Sequence, residues 1–175
     1  MKKTVLNKMV LSAMFLAVGM VLPSITMQIR EIGNMLLPMH LPVMLCGVIC
    51  GWRYGGAIGI VLPLFRSLVF SKPAFFPNAV AMAVELCAYG VAIGIVYLYV
   101  KNIKGGIYIS LVSSMLIGRI IWGAVSAFLY YLNGTVFTLE IFFTRAFLEA
   151  VPGIIAQLIL IPAIIISLKK ASLLK

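Results

Sequence analysis

The sequence has little charge, and nearly all of it is of one sign. Only 10% of its 175 residues are charged, 14 basic against 4 acidic, with a single histidine. A soluble domain carries about 25% charged residues, so a water-soluble globular protein is excluded. Nucleic acid is excluded as a partner as well, because the basic residues are scattered through apolar runs and form no basic face. No G-x-x-x-x-G-K-[ST] loop is present to cradle phosphates, so the chain does not hydrolyse ATP by that route. H-E-x-x-H and G-x-S-x-G are also missing. Glu85 and Glu149 supply acids but no nucleophile accompanies them, which argues against an enzyme. Cysteine is scarce too. Cys46 and Cys50 are four apart on one helical face, but neither Cys87 nor the lone histidine completes a zinc set, so all three read as reduced packing residues. No metal and no cofactor is implied.

What is abundant is apolar: 63% of residues are hydrophobic and the mean hydropathy is +1.17. A membrane-spanning helix takes about 20 residues, so the chain length predicts an all-α integral membrane protein of about six spans in one domain, covering 1–175. The expected spans are 5–27, 38–51, 55–70, 78–100, 107–132 and 138–168. Met1-Lys2-Lys3 before an apolar run imitates a signal peptide. No small-x-small cleavage site follows at the right distance, so this segment reads as the first span. With an even number of spans, both termini share one side. That side collects Lys2, Lys3, Lys8, Arg53, Lys101, Lys104, Lys169, Lys170 and Lys175, while the other holds Arg30 and Lys72. The positive-inside rule then predicts a multi-pass protein of the cell membrane with both termini cytoplasmic.

Ionisable residues inside spans cost roughly 2.5–3.5 kcal/mol each at the bilayer centre and usually face a cavity or a partner. Here they are Arg66, Arg119, Arg145, Glu85 and Glu149. Their depths let all five border one cavity open to the outside, under loops containing Asn34, His40 and Phe75-Phe76. Each also has a plainer explanation. Arg145 and Glu149, four apart, could neutralise one another, Arg66 could snorkel to the interface, and His40 could be a satisfied junction residue. Arg119 has no carboxylate within its own span, and Trp122 and Ser126 follow it at helical spacing, a face suited to a small polar ligand. Asn78, Met82, Glu85 and Tyr89 form a similar stripe on the fourth span, with Met82 read as packing.

Small residues recur four apart at Ala13–Ala17, Gly47–Gly51, Gly55–Gly59, Ala79–Ala83 and Gly90–Gly94. Such faces let helices approach closely. Internal packing accounts for most of them, while Ala13–Ala17, with Gly19 beyond, is a candidate docking face for a partner protein. No twin repeat of the kind that builds secondary transporters is evident.

The segments Met35-Leu36-Leu37-Pro38-Met39-His40-Leu41-Pro42-Val43, Cys46-Gly47 and Gly51-Trp52-Arg53-Tyr54-Gly55 resemble the substrate-binding S components of energy-coupling factor (ECF) vitamin transporters, pantothenate-type and related members. Pro63-Leu64-Phe65-Arg66-Ser67-Leu68 and Phe76-Pro77 extend the likeness, which covers essentially the whole chain. The resemblance implies a six-helix bundle that binds a small vitamin from outside with high affinity, through spans four to six and the loops after spans one and three. It implies association with a transmembrane coupling protein and two cytoplasmic ATPases, with Ala13 and Ala17 at the coupling interface, and toppling of the subunit in the bilayer to deliver the ligand. Three arginines against two glutamates leave the expected cavity net positive, which favours an acidic vitamin, pantothenate first and folate second. In that site Arg119 would hold the anionic group, Trp122 would stack on the ligand, and Asn78 and Glu85 would bind its hydroxyl or amide groups. A neutral or cationic vitamin would use Glu85 and aromatic stacking. The alternatives are a free-standing secondary transporter and a membrane scaffold.

Overall fold

The computed structural model describes residues 2–26, 37–132, 134, 138–144 and 148–171, and every regular element among them is helical. The helices are α1 (Lys2–Thr26), α2 (His40–Ile49), α3 (Trp52–Phe70), α4 (Val80–Val100), α5 (Gly106–Leu132), α6 (Leu139–Phe143) and α7 (Val151–Lys170). A short π-type turn, Phe75–Ala79, leads into α4.

Five of these segments are long and apolar enough to cross a membrane: Val5–Thr26, Trp52–Phe70, Phe75–Val100, Gly106–Leu132 and Val151–Lys170. The first four overlap the expected spans 5–27, 55–70, 78–100 and 107–132. The expected second span is not met, because α2 has 10 residues and at 1.5 Å per residue covers about half of a 30 Å hydrocarbon layer. It survives as a helix because it is wrapped by the bundle, with His40 and every residue from Pro42 to Val48 buried. The expected sixth span, 138–168, is divided between α6 and α7. Thr138 caps α6, its Oγ1 accepting from the Ile141 amide at 3.3 Å. Pro152 at the start of α7 lacks the N–H that a continuous helix would need.

Contacts between helices fix their directions. Ser12 of α1 meets Cys46 of α2, their Oγ and Sγ 3.6 Å apart. Farther along α1, the Met20 carbonyl and Ser24 meet Arg66 near the end of α3. At the other end of the bundle Lys169 lies over the Tyr97 ring, 5.4 Å from its centroid, which brings the ends of α4 and α7 together. The starts of α1 and α5 and the ends of α4 and α7 therefore share one end of the bundle. The starts of α2, α4 and α7 share the other.

Among α2, α3 and α4 the backbones themselves approach closely, and glycine makes it possible. A Cβ on Gly47 would meet the Gly90 carbonyl oxygen, one on Gly55 would meet Gly47 Cα, and one on Gly94 would meet the Trp52 backbone. Gly59 sits in the same way against the backbone of Leu86 and Cys87. The Gly55–Gly59 and Gly90–Gly94 spacings are thus internal packing faces, as close small-residue packing requires, whereas in Gly47–Gly51 only Gly47 packs. Gly51 has a separate role: its φ of +102° makes the turn between α2 and α3, a conformation L side chains rarely adopt. The outer surface is apolar, with Val10, Met14, Val21 and Ile25 exposed along α1 and Ile120 and Phe128 along α5. In water such a surface would be an aggregation hazard; against lipid chains it is the ordinary exterior.

Candidate functional site

A glutamate within an apolar helix must find a partner or remain costly. Glu85 of α4 is 3% exposed, and it finds Arg119 of α5, whose Nη1 donates to Glu85 Oε1 at 3.0 Å. The two helices come close because Gly118, next to Arg119, has no side chain and the Tyr89 ring packs against it. His40, the first residue of α2, brings Nε2 to 3.5 Å from the same carboxylate oxygen. The His40 ring packs edge-on against Tyr89, centroids 5.0 Å apart. Three helices thus contribute His40, Glu85, Tyr89 and Arg119 to one buried cluster.

The cluster is not fully paired. Nδ1 and Nε2 of His40 and Nε of Arg119 are buried without a hydrogen-bond partner among the described residues. A cavity of about 160 Å³ adjoins it, lined by Tyr89, Arg119, Val112, Met115, Leu116, Ile154 and Leu158. Its wall is almost entirely hydrocarbon, with Tyr89 and Arg119 as the polar residues among its lining. An apolar wall with few convergent polar groups is the usual composition of a small-molecule site.

The other residues expected to share one cavity are dispersed. Arg66 is buried, but its Nη1 donates to the Met20 carbonyl and to Ser24 Oγ, the latter at 3.3 Å, and its guanidinium lies 4.9 Å from the Phe70 ring centroid. It clasps the end of α1. Glu149 is exposed in the turn before α7, beside a polar cleft formed with Thr138, Glu140, Ile141 and Thr144. Trp122 is half-buried and stacks on Phe142 of α6, centroids 6.1 Å apart and planes 24° from parallel. Ser126 is buried, two turns from Arg119 on the same face of α5. Asn78 is exposed in the π-type turn, and Met82 packs against the core. Asn34 and Arg145 lie outside the described residues. On α1, Ala13 and Ala17 are exposed and Gly19 is not with them: it turns inward against Leu62 and Pro42.

Several buried polar residues escaped the sequence reading. Ser12, Ser110 and Ser114 donate to carbonyls of their own helices and Ser67 donates to the Pro73 carbonyl, while Gln157 differs from them. Gln157 of α7 is 2% exposed, and its Nε2 has no partner among the described residues. The available signal was a single carboxamide in an otherwise apolar run of twelve residues, from Ile154 to Ile165.

A family model described as ECF transporter, substrate-specific component, matches residues 7–173. The chain belongs to this family. Comparison with curated proteins and with solved structures returns no match. As an ECF substrate-specific component, the chain is the substrate-binding subunit of a multi-pass membrane transporter, a transport subunit rather than an enzyme. The family implies a small-molecule substrate and association with an ECF module, a transmembrane component with its ATPases. A substrate-specific component needs a buried site and a surface for its module, and does not need a phosphate-binding loop.

Proposed function

We propose that this chain is the high-affinity vitamin-binding subunit of an ATP-dependent ECF uptake transporter, and that its ligand occupies the cavity beside Arg119 among α4, α5 and α7. The observation that carries this is the incomplete pairing of Arg119: Nη1 is held by Glu85 while Nε is buried beside the cavity with no partner among the described residues. Glu85 anchors the guanidinium, and the remaining donor edge is available to an oxygen of the ligand. A charge-assisted hydrogen bond of that kind is short and strong. His40 stands beside the same carboxylate oxygen, its ring packed edge-on against Tyr89.

The favoured ligand is a carboxylated vitamin, pantothenate before folate. The cavity volume of about 160 Å³ is below the ~300–1,000 Å³ of common ligand pockets, which supports the smaller of the two. A second reading, a neutral or cationic vitamin of the pyridoxine or thiamine type, is favoured by the Glu85–Arg119 pair itself, which leaves this level of the bundle without the net positive charge expected from the sequence. In either case Asn78 and Trp122 stand farther toward the end of the bundle opposite the start of α1, where a ligand would enter, and Arg66 and Glu149 also lie toward that end; Asn34, Arg145 and His40 are kept as candidate ligand contacts on the sequence. We place both termini in the cytoplasm on the nine-to-two asymmetry of basic residues. The exposed Ala13–Ala17 face of α1 is the proposed contact with the transmembrane coupling protein, which works with two cytoplasmic ATPases.

The test is thermal stabilisation of the purified, detergent-solubilised chain against a vitamin panel. A ligand present at 1,000 times its Kd adds about 4 kcal/mol by mass action. Pantothenate should raise the melting temperature of the wild type and not that of Arg119→Ala. Stabilisation by a cationic vitamin instead would select the second reading, and a flat response across the panel would sink both.

A further inference from the structure

Charge has to balance inside a membrane protein, because an ion buried without a counter-ion is costly. In the empty subunit it does. Glu85 and Arg119 oppose one another at 3.0 Å, so the cluster is neutral whenever His40 is neutral. A carboxylate arriving at Arg119 upsets that balance: Glu85 and the ligand would share one guanidinium, and the buried cluster would be left net negative.

His40 stands where this can be corrected. It is 1% exposed, and its Nε2 lies 3.5 Å from the Glu85 oxygen that Arg119 engages. A neutral imidazole keeps one ring nitrogen bare, and a second proton turns both nitrogens into donors. Neither ring nitrogen of His40 has a hydrogen-bond partner among the described residues, so the position for that proton is open. The ionisable groups facing His40 are Glu85 and Tyr89 of α4 and Arg119 of α5. Arg66 of α3 is turned to α1. Lys8, Arg53, Lys101, Lys104, Lys169 and Lys170 belong to the opposite end of the bundle, and Lys72, Glu140 and Glu149 are exposed. Histidine is also the side chain whose charge changes between about pH 5 and 8.

We propose that the subunit takes up a proton together with its carboxylated vitamin, and that His40 holds it. The proton comes from the medium and goes to the bare ring nitrogen; no bond in the vitamin is made or broken. The imidazolium then lies beside Glu85 while Arg119 turns its free edge to the ligand, and cations and anions balance in the occupied site. His40 need not touch the ligand for this. The cavity lining does not include it, and its effect passes through Glu85. The occupied site binds more protons than the empty one, so affinity falls as pH rises. This rests on the proposed function, with the ligand a carboxylate held by Arg119.

Calorimetric titration of pantothenate in buffers of different ionisation enthalpy counts the protons exchanged on binding. His40→Gln and His40→Asn keep a polar nitrogen but cannot take the proton. The wild type should take up close to one proton, and its Kd should rise by up to about tenfold per pH unit between about pH 6.5 and 8, where a carboxylic acid stays ionised. Both variants should take up none and show a flat pH profile, with weaker binding at the acid end. Wild-type binding without proton uptake would overturn the proposal and leave the proposed function standing, and it is read without any variant. Uptake that persists in the variants would overturn the assignment to His40. So would binding weakened equally at every pH with the wild-type slope retained, the mark of a direct contact. Absence of pantothenate binding at every pH would remove the carboxylate itself and overturn both readings.

Discussion

The two halves of this bundle solve different problems. In α2, α3 and α4 the backbones touch through Gly47, Gly55, Gly59, Gly90 and Gly94, with no room for even a methyl group. Around α5, α6 and α7 the packing is looser: a 160 Å³ cavity lies where α5 and α7 meet Tyr89 of α4, α6 is a five-residue piece, and the chain is divided where a continuous span was expected. The first half is a rigid frame and the second half leaves space. Glu85 stands at the boundary, carried by the frame and reaching toward Arg119 on the other side. On the proposed function, most of the close backbone packing and most of the ligand space fall on different helices, with α4 shared between them. A cavity among glycine-packed helices would collapse, and a frame without a cavity would bind nothing.

The contrast can be broken most severely at the boundary. Glu85→Leu leaves the Arg119 guanidinium buried without its carboxylate, and removing one member of a buried pair costs about 3–5 kcal/mol. The expected outcome is a large drop in melting temperature or loss of folded protein, and Glu85→Leu with Arg119→Leu should recover much of it. Within the frame, Gly90→Val drives a side chain into the Gly55 carbonyl. Overpacking of this kind costs about 1–3 kcal/mol, here toward the upper end because the obstacle is backbone. In the looser half, Phe142→Ala removes the stacking on Trp122 and should cost about 0.5–1.5 kcal/mol beyond the lost burial. A cost equal to that of Gly90→Val would erase the distinction between the halves. The smallest stability effect is expected at Ala13→Leu, within about 0.5 kcal/mol because the site faces outward. Vitamin binding should be unchanged in that variant, while co-purification with the coupling protein should fall.

The length and hydropathy of the long helices were legible in the sequence, since a run of about 20 apolar residues has few other fates. α2 was legible as apolar but not as short, because hydropathy does not distinguish a helix buried by protein from one buried by lipid. The division of the last expected span was signalled only by Thr138 and Pro152, whose meaning as cap and first-turn residue depends on where the helix starts. The glycine spacings announced close packing without naming the partner helix. Charge was the least legible. Arg119 and Glu85 are 34 positions apart, and only the packing of α4 on α5 pairs them. Helical depth placed Arg66 within reach of the same cavity, but it turns instead to the backbone of α1. Gln157 stood alone in its apolar run, and its burial became visible only with the neighbouring helices in place.

The account's central claim is that the ligand binds where Arg119 leaves its guanidinium half-paired. The most direct measurement is equilibrium binding of radiolabelled pantothenate to the purified chain and to Arg119→Ala. The account predicts saturable, tight binding to the wild type, weakened at least a hundredfold in the variant while its helical content is retained. Equal affinity in the two proteins would contradict it.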